Sequence, residues 1–180
     1  MLLAVRRAVG GVLLVAAALT GCAASPEERA HANVQDRLDG VHGGFLERRT
    51  LDPTSTGAAA VESLDPYGYS LETTVGPDEI TFLRAVGSVV ESGGGLSYEQ
   101  ASVGACVLVT VRFGGGGPDR GSVTTGPVRC PEDVQFETEK GVETVDVVTT
   151  DLESRSDDVG EPPPDRSVCL SGELCTEGGG

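Results

Sequence analysis

A chain of 180 residues with 13 basic and 28 acidic side chains, formal charge −15, has the length of one domain with tails. A balance this acidic repels nucleic acid and anionic lipid, so no nucleic-acid partner is expected, and solubility or cationic partners fit better. With no Trp, three Tyr and four Phe, no stacking platform for sugars or single-stranded nucleic acid is evident.

The chain opens as a secretory signal does. Arg6 and Arg7 supply positive charge, Ala8 to Leu19 form an uncharged apolar run of 12 residues, and small residues follow. A membrane-spanning helix needs about 20 apolar residues, so the run is expected to be a cleaved signal. The next four residues, Leu19-Thr20-Gly21-Cys22, resemble the lipobox of bacterial lipoproteins. That resemblance implies a signal peptide over residues 1–21, cleavage before Cys22, and fatty chains such as palmitate on Cys22. The mature protein would then sit on the outer face of the cell membrane, its membrane partner reached through the anchor. More generally the chain resembles small uncharacterised lipoproteins of GC-rich Gram-positive bacteria, a likeness that implies no activity. Without residues 1–21 the chain keeps 11 basic and 28 acidic residues, a charge of −17.

After Cys22, Ser25-Pro26-Glu27-Glu28 is a helix start in which Ser25 caps, Pro26 takes the first helical position and Glu28 reaches back. Ala30, Val34, Leu38 and Val41 form one apolar stripe, and Gly43-Gly44 is the expected stop, giving a helix over 26–42. This helix starts so soon after Cys22 that the domain is expected close to the bilayer. Thr50 to Pro66 holds Pro, Gly, Ser and Thr and is expected to be loop. Tyr67, Tyr69, Leu71, Thr73 and Val75 alternate with smaller or polar residues, which predicts a half-buried strand.

Residues 78–91 fit two patterns. Phe82, Leu83, Val86, Val89 and Val90 make a helical stripe behind Pro77-Asp78-Glu79, while three valines favour strand; we take helix, with strand the alternative. Ser92 to Gly95 is a break. Val107, Val109, Val111 and Phe113 then alternate, and Gly114 to Gly117 with Pro118-Asp119 turns the chain into Ser122 to Cys130, a hairpin. With Phe113 facing Val123, Cys106 falls opposite Cys130 and can form a cross-strand disulfide. Shorter strands are expected at Val134 to Thr138 and Val142 to Thr149, turning at Lys140-Gly141. The fold class is α+β: one or two helices packed on a small antiparallel sheet over 22–150. From Asp151 to Gly180 acids, Pro and Gly dominate, predicting a disordered acidic tail in which Cys169 and Cys175 close a small loop.

The chemistry-bearing residues are sparse. In an exported chain the four cysteines besides Cys22 suit two disulfides, Cys106 with Cys130 and Cys169 with Cys175, and no metal or cofactor is expected. The glycine runs lack the Lys-Ser/Thr of a phosphate loop. His31 and His42 stand about 16 Å apart along one helix at 1.5 Å per residue, too far to share a metal, and are expected on its surface. Neither Gly-x-Ser-x-Gly nor Ser-x-x-Lys occurs, so the common acyl-enzyme signatures are missing. No catalytic residue stands out. The expectation is a non-enzymatic lipoprotein that binds or supports an envelope component of unknown identity; the alternative is an envelope hydrolase with a site of dispersed residues.

Overall fold

The computed structural model describes residues 24–94, 97–116 and 119–161. Cys22, Cys169 and Cys175 lie outside the described residues. The fold is α+β, two helices on an antiparallel sheet, in the order α1 (Pro26–Leu51), α2 (Gly57–Leu64), β1 (Glu72–Val75), β2 (Glu79–Gly94), β3 (Ser97–Gly116), β4 (Asp119–Val128), β5 (Phe136–Thr138), β6 (Gly141–Glu143), β7 (Val147–Val148) and β8 (Arg155–Asp158). The main sheet runs β1-β2-β3-β4-β8, with β7 parallel to β3 beyond the end of β4, and β5-β6 form a separate hairpin.

The capping box at α1 is present: Ser25 Oγ accepts from the Glu28 N–H at 3.1 Å and Glu28 Oε2 accepts from the Ser25 N–H at 2.7 Å. The helix does not stop at Gly43-Gly44 but continues to Leu51. Its buried stripe is Ala30, Val34, Leu38, His42, Phe45 and Arg49, a run at three- and four-residue steps that crosses the glycines and includes two polar side chains, His42 and Arg49. Packing of Phe45 and Arg49 outweighs the roughly 1 kcal/mol each mid-helix glycine costs. The expected loop over 50–66 contains α2, which contributes Ala60 and Leu64 to the core.

The second helix is therefore α2, and residues 78–91 are strand. Gly76 N–H donates to Glu79 O, so Gly76 to Glu79 make a hairpin turn and not a helix start. Five β-branched residues, Ile80, Thr81, Val86, Val89 and Val90, pair along β3 over the whole length of β2. Ile80, Phe82 and Val86 face α1, with Phe45 and Phe82 ring centroids 4.8 Å apart. The alternation over 67–75 does not give a half-buried strand either. Only Glu72–Val75 pairs, and all four residues are exposed, because α1 packs across β2, β3 and β4 and leaves edge strand β1 uncovered.

The β3-β4 hairpin forms as expected but in a register two residues away. Val111 faces Val123 and Cys106 faces Val128, since the chain stays in strand through Gly114–Gly116 and turns more tightly than the glycine run implied. A two-residue shift keeps every side chain on its face. Cys106 and Cys130 form a disulfide, Cα atoms 5.1 Å apart, but diagonally, with Cys130 just past the end of β4. On this back face Phe136 of β5 covers the sheet where it has no side chain: a Cβ on Gly104 would come within 2.6 Å of the Phe136 ring. The expected turn at Lys140-Gly141 joins β5 to β6, while β7 is a separate two-residue strand.

The largest departure is in the segment after Asp151. Arg155–Asp158 form β8, antiparallel to β4, and Val159 is buried. Its charges, which read as tail composition, are spent on α1: Arg155 donates from Nε and Nη2 to both carboxylate oxygens of Asp39 at 2.9 Å. Truncation after Asp151 is expected to lower the thermal midpoint by about 10 °C or more, since it exposes the core under Val159 and strips three α1 side chains, Gln35, Asp39 and His42, of partners. A midpoint within two or three degrees of the full chain would show that β8 contributes nothing.

Candidate functional site

Two polar arrangements stand out. The first is buried. His42, expected on the surface, is only 5% exposed. Its Nδ1 lies 3.1 Å from Thr125 Oγ1 and its Nε2 2.9 Å from Asp157 Oδ2. In the neutral ring, Nε2–H donates to Asp157 and Nδ1 accepts the Thr125 hydroxyl proton, which satisfies every group. A hydroxyl, an imidazole and a carboxylate in line are the parts of a nucleophilic triad, but Thr125 is fully buried in β4 and its oxygen has no approach for a substrate. The trio ties α1 to β4 and β8. Arg155 and Asp39 extend it, with Gln35 Nε2 donating to Asp39 Oδ1 at 2.9 Å and Gln35 Oε1 accepting from the Glu153 N–H at 2.8 Å. His31 is half-buried at the other end of the helix and joins none of this.

The second arrangement is open. Between α1 and the edge of β2 lies a cleft of about 510 Å³. Asp36, Arg37, Gly40, Val41, Gly44 and Arg48 line it from α1, Arg84 to Val86 from β2, Tyr67 and Tyr69 from the α2-β1 connection, and Glu137 from β5. It exists because β1 ends at Glu72, opposite Leu83, so from Arg84 onward β2 has an open edge beneath the helix. Gly40 and Gly44 form the helical wall, and a Cβ on either would meet nothing within 4 Å. Neither glycine is demanded by packing, yet each costs the helix roughly 1 kcal/mol.

The tyrosines are placed by Asp65. It caps the end of α2, and its carboxylate accepts the Tyr69 and Ser70 N–H groups at 3.1 and 3.0 Å. Gly68, at φ 64°, makes the turn between the rings. Tyr67 and Tyr69 therefore lie side by side, centroids 5.6 Å apart, 71% and 55% exposed. Two of the three tyrosines thus assemble an aromatic surface that composition did not reveal. The Arg84 guanidinium carbon sits 5.3 Å from the Tyr69 ring centroid.

Three arginines line the cleft, and among the described residues polar partners are found for only two of them. Arg37 pairs with Glu139 at 2.9 Å, and Arg48 Nη1 donates to Leu64 O at 3.1 Å. Glu139 also accepts from Ser88 Oγ and the Val89 N–H, holding the β5-β6 hairpin against the β2 edge. Arg84 makes no hydrogen bond or ion pair among the described residues. The nearest acid that would attract it, Asp65, has its oxygens engaged by backbone. Burial pushes the Arg84 guanidinium below its ordinary value, and the neighbouring Arg48 charge adds to that, against attraction from Asp65 and Glu137.

No protein-family model matches this chain, and comparison with curated proteins and with solved structures returned no match. Among the described residues no helix is long and apolar enough to cross a membrane, and no three His, Cys, Asp or Glu side chains are grouped to hold a metal. The cleft residues escaped the sequence reading. Their one linear signal is the pair Gly40 and Gly44, one turn apart between Arg37 and Arg48, and Gly44 with Gly43 reads as a helix stop unless Phe45 and Arg49 are recognised as continuing the stripe.

Acid tests the latch. Hydrogen bonding from Arg155 holds the Asp39 carboxyl below its ordinary value, against a smaller opposing effect of burial. A lowered folded-state value means that the stabilisation is fully present above the unfolded carboxylate range, near pH 4, and is lost as pH falls through the lowered value. Asp39→Asn should lower the midpoint by a few degrees at pH 7, with the difference from wild type closing below about pH 4. A difference that stays constant down to pH 2 would mean that Asp39 acts by shape alone.

Proposed function

We propose that this protein is a lipid-anchored extracytoplasmic binding protein, held at the cell membrane through Cys22 and engaging an envelope component through the cleft between α1 and β2. The observation that carries the reading is that cleft: a wall thinned by Gly40 and Gly44, two exposed tyrosines at the rim, and an Arg84 guanidinium to which no described residue offers an acceptor. Binding sites are concave, with a few convergent polar groups set in apolar surface, and this is where the fold offers that combination. The anchor complements it. Pro26, the first residue of α1, is four residues beyond Cys22, so the domain of which α1 is part would sit close to the bilayer. At 1.5 Å per residue Gly40 to Arg48 lie roughly 20 to 35 Å along the helix from its start, beyond the headgroups if the helix stands upright.

The hydrolase alternative finds no support in the His42 cluster, whose hydroxyl is enclosed. The cleft brings together arginines, tyrosines and carboxylates, without a nucleophile set against a base.

The anchored protein should enter the detergent phase on phase partitioning, and Cys22→Ala should keep it out and block processing. A Cys22→Ala protein that is still processed at the same site and still partitions contradicts the anchor. The component that co-purifies with the lipid-bearing protein from solubilised membranes should be lost in Gly44→Phe, which fills the cleft without touching the core. Equal recovery with Gly44→Phe contradicts the cleft.

A further inference from the structure

We infer that the cleft recognises an oxoanion, a carboxylate or a phosphate, carried on a small ring-bearing ligand, with Arg84 as the residue that grips it and Arg48 beside it. This rests on the reading of the cleft as a binding site and adds the chemistry of what binds.

A half-buried guanidinium whose donors have no protein acceptor is solvated only through the cleft it faces, a cost that an anionic partner there would remove. Arg84 is half-buried, its charge penalised by desolvation and by Arg48, and no acceptor is supplied by the described residues. The local structure keeps it that way. Asp65 is the obvious counter-ion, but the Tyr69 and Ser70 N–H groups occupy its oxygens. Glu139 is bound by Arg37, Ser88 and Val89. Tyr69 meanwhile holds the guanidinium by a cation–π contact, its carbon 5.3 Å from the ring centroid. A planar fork with donors open to the cleft matches the two oxygens of a carboxylate or phosphate.

Charge points the same way. In a chain of formal charge −15, three of the 12 arginines meet in one cleft, and Arg48 raises the local positive potential at Arg84. An anion that entered would relieve the repulsion between them. Asp36 and Glu137 also line the cleft, but both are exposed and neither bonds Arg84, so the cleft sets three arginines against two solvated carboxylates. The ring requirement comes from the rim. Tyr67 and Tyr69 expose adjoining faces beside Arg84, and the glycine wall lets a flat group approach the helix backbone closely.

The lipid-bearing mature protein in neutral detergent is titrated with phenyl phosphate, phenylacetate, inorganic phosphate and benzyl alcohol while tyrosine emission is followed, which Tyr67 and Tyr69 should dominate in the absence of Trp. Phenyl phosphate or phenylacetate should quench saturably, at least about tenfold tighter than benzyl alcohol, and inorganic phosphate should bind more weakly than phenyl phosphate. The tighter of the two anions identifies the group as phosphate or carboxylate. Arg84→Gln should abolish the preference for the anions while Arg84→Lys keeps part of it, and Arg112→Gln, outside the cleft, should leave it unchanged. If Arg84→Gln fails to fold, Gly44→Leu is the second variant, entering the cleft from the helix side where a Cβ meets nothing within 4 Å. It should block both anions. Benzyl alcohol binding as well as the anions would overturn the oxoanion assignment and leave the cleft a binding site. Failure of both anions to saturate, or full anion binding in Gly44→Leu, would overturn the assignment as well, and in the second case would place the binding elsewhere.

Discussion

Everything in this fold hangs on one contact, the stripe of α1 laid across β2, β3 and β4. Ala30, Val34 and Leu38 meet Val86, Val103, Ala105 and Val107 at one end, and Phe45 meets Ile80, Phe82, Val109, Val111 and Val123 at the other. Burying side chains of this size stabilises by about 1.5 to 3 kcal/mol each, which no turn or ion pair here approaches. A helix of 26 residues is needed to reach both ends, and that length is what carries it through three glycines.

Two positions of the stripe are polar, and the rest of the structure answers them. His42 lies in the buried stripe and must find a donor and an acceptor for its ring nitrogens, so β4 supplies Thr125 and β8 supplies Asp157. Arg49, 1% exposed, donates to Asp52 O and Ser55 O and stacks over Phe113, closing the α1-α2 connection onto the hairpin. Segments rich in charge or glycine thereby become ordered through the helix they partner. At the cleft the layers do not close, because β1 is too short to fill the edge of β2 and the helix there presents glycine. Close packing on either side and an open middle make a binding site compatible with a rigid frame.

How far the sequence discloses this depends on whether a residue's role is local. The α1 start was readable because a capping box acts within four residues. The β3 strand was readable because Val107, Val109 and Val111 alternate without ambiguity, and the β5-β6 turn because Lys140-Gly141 suits it. Residues 78–91 were not, since Phe82, Val86 and Val90 satisfy either period, and only pairing with β3 decides between them. β8 was not, because Arg155 and Asp157 look like tail composition until Asp39 and His42 are known to lie opposite. Arg84 gives no linear sign at all. Its meaning is the absence of a partner, and that is visible only when Asp65, Glu139 and Tyr69 have been placed around it.

Amide hydrogen exchange of the protein in membranes isolated from cells that make it, compared with the same protein purified in detergent, tests the claim that the cleft is the working surface. The account predicts extra protection in the membrane sample confined to Gly40–Arg48, Tyr67–Ser70 and Arg84–Val86, with the hydrophobic stripe and β3 unchanged. Extra protection confined instead to the back face around β6 and β7, or no difference anywhere, would contradict it.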